Sequence, residues 1–189
     1  MKFAGVSRRD FSAGVSAIVA GAGAATTARA DAPPDSAGGE ITRSHAAIHQ
    51  EVVFAAEATR VYQMLTVAAL FDRVVRLSGA MNSMMKSKLG AEPTRIDARP
   101  GGAFALFGGY ITGYNLELIP ETRLVQAWHS GSWPAGAFSI ARFSLSGNGA
   151  HTTIVFDHTG FPDGEAEHLA KGWHLNYWEP IAKALAERP

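Results

Sequence analysis

The chain has 189 residues, 47% of them apolar, which is enough for one domain with a substantial core. Its 17 basic and 17 acidic residues cancel to a formal charge of zero, so no electrostatic footprint for nucleic acid stands out. Cysteine is absent, which excludes disulfides, thiolate catalysis, cysteine zinc sites and a lipoprotein anchor.

Residues 1–30 read as a bacterial export signal. Lys2 and Ser7-Arg8-Arg9-Asp10-Phe11 make a basic start, Ser12 to Ala28 is rich in Ala and Gly, and Ala28-Arg29-Ala30 is a small-x-small cleavage site. The pair Arg8 and Arg9 points to the twin-arginine translocase as a partner during export, although Ser12 stands where leucine is commoner. The stretch is too poor in Leu, Ile, Val and Phe for a good spanning helix of about 20 residues. The expectation is therefore cleavage after Ala30, no stable membrane insertion afterwards, and a periplasmic or secreted protein. Removing Lys2, Arg8, Arg9, Arg29 and Asp10 leaves 13 basic and 16 acidic residues, a net charge near −3.

Residues 31–44 carry Pro33-Pro34, Ser36 and Gly38-Gly39 without apolar periodicity and read as a flexible linker, so the domain is placed at 45–189. Ile48 to Phe54 is strand-like. Ala58 to Leu65, with Val61, Tyr62 and Leu65, and then Leu70, Phe71, Val74, Val75 and Leu77 follow helical spacing, which predicts two short helices after the first strand. Between Gly79 and Pro100 the cluster Met81, Met84 and Met85 is a candidate gate, set against the plainer reading of adaptable core filler. Strands are predicted at 103–107, 110–119, 124–129, 138–146 and 152–159, with short Gly- and Pro-containing turns that suit antiparallel neighbours. The total is a sheet of about six strands.

A long helix is predicted from about Gly164 to Ala186. Leu169, Trp173, Tyr177, Ile181 and Leu185 form its buried stripe, and Pro180, which removes a hydrogen bond to Asn176, should kink or restart it. A helix with that face is buried by lying across the sheet. The fold class is thus α+β, a helix grip in which a curved antiparallel sheet wraps a long C-terminal helix.

The segments Arg99-Pro100-Gly101-Gly102-Ala103-Phe104, Leu118 to Trp128, Ser132-Trp133-Pro134-Ala135-Gly136 and Gly172-Trp173 occur in an order that resembles one family. They look like the START-like (SRPBCC) superfamily, and within it the AHSA-type group related to the C-terminal domain of the activator of the ninety-kilodalton heat-shock chaperone ATPase. The resemblance covers residues 45–186 and implies a helix-grip fold with a hydrophobic cavity between sheet and helix. It does not imply one reaction, because the superfamily includes lipid carriers, hormone receptors, cyclases and co-chaperones. The segment between Phe71 and Arg99 is longer than the family's usual connection.

Strand alternation puts Trp128, Phe143, Phe156 and His158 on the concave face opposite Trp173 and Tyr177, a lining suited to an apolar or aromatic ligand. Filled core is the alternative. Tyr110 and Tyr114 are further pocket candidates, while Asp157 faces away from its neighbour His158. No orienting partner for His158 is legible, and neither His45 with His49 nor His168 with His174 has metal-ligand geometry, so no catalytic residue, metal or cofactor is assigned. The sequence favours a carrier of a small hydrophobic molecule over an enzyme. The alternatives are a protein-interaction module with a protein partner, in which Trp133 would join an exposed patch, and a cavity enzyme of cyclase or hydrolase type.

Overall fold

The computed structural model describes residues 46–82 and 92–187, which belong to one compact unit, Ile41–Pro189. Arg8, Arg9, Met84 and Met85 lie outside the described residues.

The first strand, β1 (Ala47–Phe54), leads into two helices, α1 (Ala58–Thr66) and α2 (Ala68–Leu77). A two-residue strand β2 (Arg95–Ile96) precedes a run of hairpins: β3 (Ala103–Leu106), β4 (Ile111–Ile119), β5 (Arg123–Ser130), β6 (Ser139–Gly147) and β7 (Thr152–Thr159). All pairings are antiparallel, in the order β1-β7-β6-β5-β4-β3-β2. The sheet therefore has seven strands where about six are expected. The added one, β2, is too short for any alternation to show in sequence.

Alternate residues of β5, β6 and β7 face inward and are buried. Leu124, Trp128, Ala141, Phe143, Ile154 and Phe156 make the concave floor. Across it lies the C-terminal helix, which is not continuous: α3 (Ala166–Trp173) passes through a π-helical turn (His174–Trp178) into α4 (Glu179–Ala186). Pro180 has no N–H to offer the preceding turn. The chain widens one turn earlier, with Glu179 N–H reaching His174 O. The interruption thus precedes the proline. The wider turn carries both Tyr177 and Trp178 into the core, and all five residues of the expected stripe are buried with them.

Two polar clamps fix the helix. Gln50 on β1 donates to Ala170 O at 3.0 Å and accepts from Trp178 Nε1 at 2.6 Å. At the far end, Arg60 of α1 donates to Leu185 O at 3.2 Å, and Arg73 of α2 reaches Ala184 O and Glu187. Cationic side chains on the last carbonyls satisfy groups that a helix leaves unpaired and oppose its dipole.

Candidate ligand cavity and the aromatic core behind it

β7 brings Phe156 and His158 to the sheet's inner face, and α3 lays Trp173 across both. The ring centroids of Phe156 and Trp173 lie 4.3 Å apart, and those of Trp173 and Tyr177 4.1 Å apart. Phe143 joins Phe156 at 4.9 Å. These three ring pairs meet at interplanar angles of 52°, 43° and 48°, tilted contacts that suit a filled core.

His158 is fully buried and has partners on both nitrogens. Trp173 Nε1–H donates to Nδ1 at 3.0 Å; because indole nitrogen only donates, Nδ1 is the acceptor and the ring proton sits on Nε2. Nε2–H then donates to Ser139 Oγ at 2.7 Å, and Ser139 Oγ–H donates to Trp128 O at 3.0 Å. Burial pulls the His158 pKa down to about 4. A neutral imidazole that gives its proton to a serine, rather than taking one, is not a general base for that serine.

Beside this core, between the β4 and β5 ends and α3, is a cavity of about 240 Å³, open on one side. Four sequence candidates line it: Tyr110, Trp128, Trp173 and Tyr177. Phe107, Ile111 and Leu169 add apolar wall, while Glu165 and His168 stand on α3's side of the cavity, where the other neighbours are Gly172 and Asn176. Phe107 closes one side from a left-handed backbone conformation, φ 52°, rare for a bulky residue, and its ring meets Phe71 at 5.8 Å and Tyr177 at 5.6 Å. Burial raises the Tyr177 phenol well above its ordinary range; the neighbouring Trp128 indole acts the other way without reaching hydrogen-bond geometry.

The other candidates lie elsewhere. Phe143, Phe156 and His158 form packed core away from the cavity wall. Tyr114 corrects the expectation: it is half exposed on the outer face of β4, because Gly113 and Asn115 hold the inward positions, and it meets Phe138 at 6.1 Å. Trp133 is likewise not part of an exposed patch. It folds under its turn against Trp128, ring centroids 5.3 Å apart. Met81, in a 3₁₀ turn at Gly79–Asn82, packs against the core, and its neighbour Ala80 lines the cavity. On the outer face His49 Nδ1 lies 2.7 Å from Asp157 Oδ1, so Asp157 does turn away from His158.

Gly172 and Asn176 were missed by sequence reasoning, yet they fall at i+3 and i+7 from Leu169, on the stripe's own flank. Phe107 carried no such signal, since a left-handed residue at a strand end looks like any other apolar strand residue.

The sequence matches the family described as activator of Hsp90 ATPase homolog 1-like protein over residues 55–186, more than half of the chain. The chain belongs to this family. Among relatives, human activator of 90 kDa heat shock protein ATPase homolog 1 is 30% identical over 93 residues, covering 49% of this chain and 28% of that protein. An uncharacterized Schizosaccharomyces pombe protein is 35% identical over 89 residues, 47% of this chain and 26% of its own. The chain thus spans little more than a quarter of the length of these two relatives.

Solved structures of similar proteins share the helix-grip fold. An Hsp90 activator from Plasmodium falciparum superposes with a TM-score of 0.63 at 21% identity, over 74% of this chain and 95% of that one. CalU16 from Micromonospora echinospora gives 0.57 at 20% identity, over 74% and 76%. In this family member the core rings, the histidine relay and the cavity sit inside the segment that the family match covers, 55–186.

Proposed function

We propose that this protein is an exported binding or carrier protein for a small apolar or aromatic molecule, held between its sheet and its C-terminal helix. The observation that carries the reading is the cavity of about 240 Å³ walled by Phe107, Ile111, Trp128, Leu169, Trp173 and Tyr177. Ligand sites are characteristically concave and apolar with few polar groups. This volume, slightly below the usual drug-sized range, suits a molecule of one or two rings. Export rests on the Ser7-Arg8-Arg9-Asp10-Phe11 start and the Ala28-Arg29-Ala30 end of the first 30 residues.

Gly172 supplies the test. A side chain built there has open space, its nearest neighbour being Asn176 Nδ2 at 4.0 Å. Gly172→Leu is therefore expected to fill the cavity without disturbing the helix, for which leucine is the better former. Calorimetric titration with a panel of one- and two-ring hydrocarbons and ketones checks it: binding to the parent protein, and loss of at least about tenfold in Gly172→Leu at unchanged stability. Equal affinity in both proteins would place the ligand elsewhere.

A protein-interaction role is the second reading. It is favoured by the family membership and by the half-exposed apolar residues Tyr114, Leu116 and Phe138 on and beside the outer sheet face. An exported protein would not meet a cytosolic ATP-dependent chaperone, so the two readings part on where the protein resides.

A further inference from the structure

Three buried side-chain polar atoms have no hydrogen-bond partner among the described residues: Trp128 Nε1, Trp133 Nε1 and Tyr177 Oη. The rest of the polar interior is satisfied with some care. Gln126 donates to Asn115 at 3.0 Å, Asn115 donates to Asp97 O at 2.8 Å, and the relay through His158 leaves none of its atoms idle. Against that background unpaired donors call for an explanation. Trp133 belongs to neither the relay nor the cavity. Trp128 and Tyr177 both line the cavity, both are almost wholly buried, and each polar atom neighbours the other without bonding to it.

We infer that the cavity takes an apolar one- or two-ring molecule bearing a carbonyl or similar acceptor oxygen, which receives hydrogen bonds from Trp128 Nε1–H and Tyr177 Oη–H. The inference rests on the cavity reading above and names the class of ligand for it. Indole nitrogen can only donate, so Trp128 selects an acceptor atom, and the neutral Tyr177 hydroxyl, which can donate as well as accept, is able to give a second hydrogen bond to the same oxygen. Both atoms are closed off in the ligand-free fold, so binding requires a rotamer-scale shift of Trp128 and Tyr177 to bring them to the oxygen. Apolar surface supplies the affinity and the donor pair supplies orientation. A hydrocarbon of the same shape would leave both donors buried and unpaired.

Matched ligands test this: 1-tetralone against tetralin, titrated into the full chain, with the indole N–H proton of Trp128 followed by NMR. The ketone is expected to bind on the order of tenfold more tightly than the hydrocarbon, to shift the Trp128 indole proton downfield, and to lose its advantage in Trp128→Phe and in Tyr177→Phe. Equal affinities with an unmoved indole resonance would overturn the acceptor inference while leaving the apolar cavity standing. Binding of neither compound would overturn both. Should either variant fail to fold, the resonance in the unaltered protein still decides.

Discussion

Both nitrogens of His158 are occupied, one by the Trp173 indole and one by Ser139, in a site that burial keeps neutral down to about pH 4. The unfolded chain would protonate the same ring near its ordinary value of 6.5. The folded state therefore binds fewer protons in that window. Stability from this group is complete above pH 6.5, falls as pH drops toward 4 and changes no further below it, a loss of about 3 kcal/mol in all. Urea unfolding at pH 7.5 and 4.5 should show the lower midpoint at 4.5. A flat profile would mean that His158 is charged or solvated in the fold. At this scale the sequence was only partly legible. Alternation put His158 inside and Asp157 outside, but its partners come from β6 and from the helix, 19 and 15 residues away, and nothing in a linear pattern marks Ser139 as the acceptor.

The sheet depends on close approach at particular positions. Gly113 on β4 is one: an added Cβ would fall within the envelope of the Ala127 carbonyl and of the Phe104 ring. Neither can retreat, since Ala127 is held in the β4–β5 ladder and Phe104 is buried. Gly113→Ala is expected to destabilise the domain by about 2 to 3 kcal/mol, read as a fall in urea midpoint. An unchanged midpoint would show that β3, β4 and β5 are more loosely joined than the ladder indicates. Gly101-Gly102 illustrates the same distinction between freedom and room. Gly101 takes the positive φ of 78°, whereas Gly102 has ordinary dihedrals and is small because Asp97 crowds it. Elements with strong periodicity, namely β1, the two short helices, the five later strands and the inward stripe of the C-terminal helix, were legible to within a few residues. Three features were not, each for a local reason: β2 is two residues long, the π turn is a response to a proline downstream of it, and Phe107 adopts a backbone angle that its side chain does not advertise. The cavity wall passes through two of these three, and of the eight predicted lining residues four line it, three (Phe143, Phe156 and His158) are packed core and Tyr114 is exposed.

The whole molecule carries a helix-grip domain of the Hsp90 ATPase activator homolog 1-like family, and we propose that residues 1–30 direct its export. Arg8→Lys combined with Arg9→Lys is expected to hold the protein in the cytoplasm, with the parent recovered in the periplasmic fraction and shortened at Ala30. Cytoplasmic recovery of the parent protein would instead favour the chaperone-partner reading. A folded domain without cysteine is suited to export in the folded state, and a cargo bound before export would travel with it. Native mass spectrometry of protein exported by its own signal and purified gently, followed by extraction of whatever it carries, decides whether the cavity holds a small apolar molecule. A stoichiometric apolar compound of one or two rings, lost on denaturation and absent from Gly172→Leu, is expected. An empty protein that also ignores the ketone and hydrocarbon panel would contradict it.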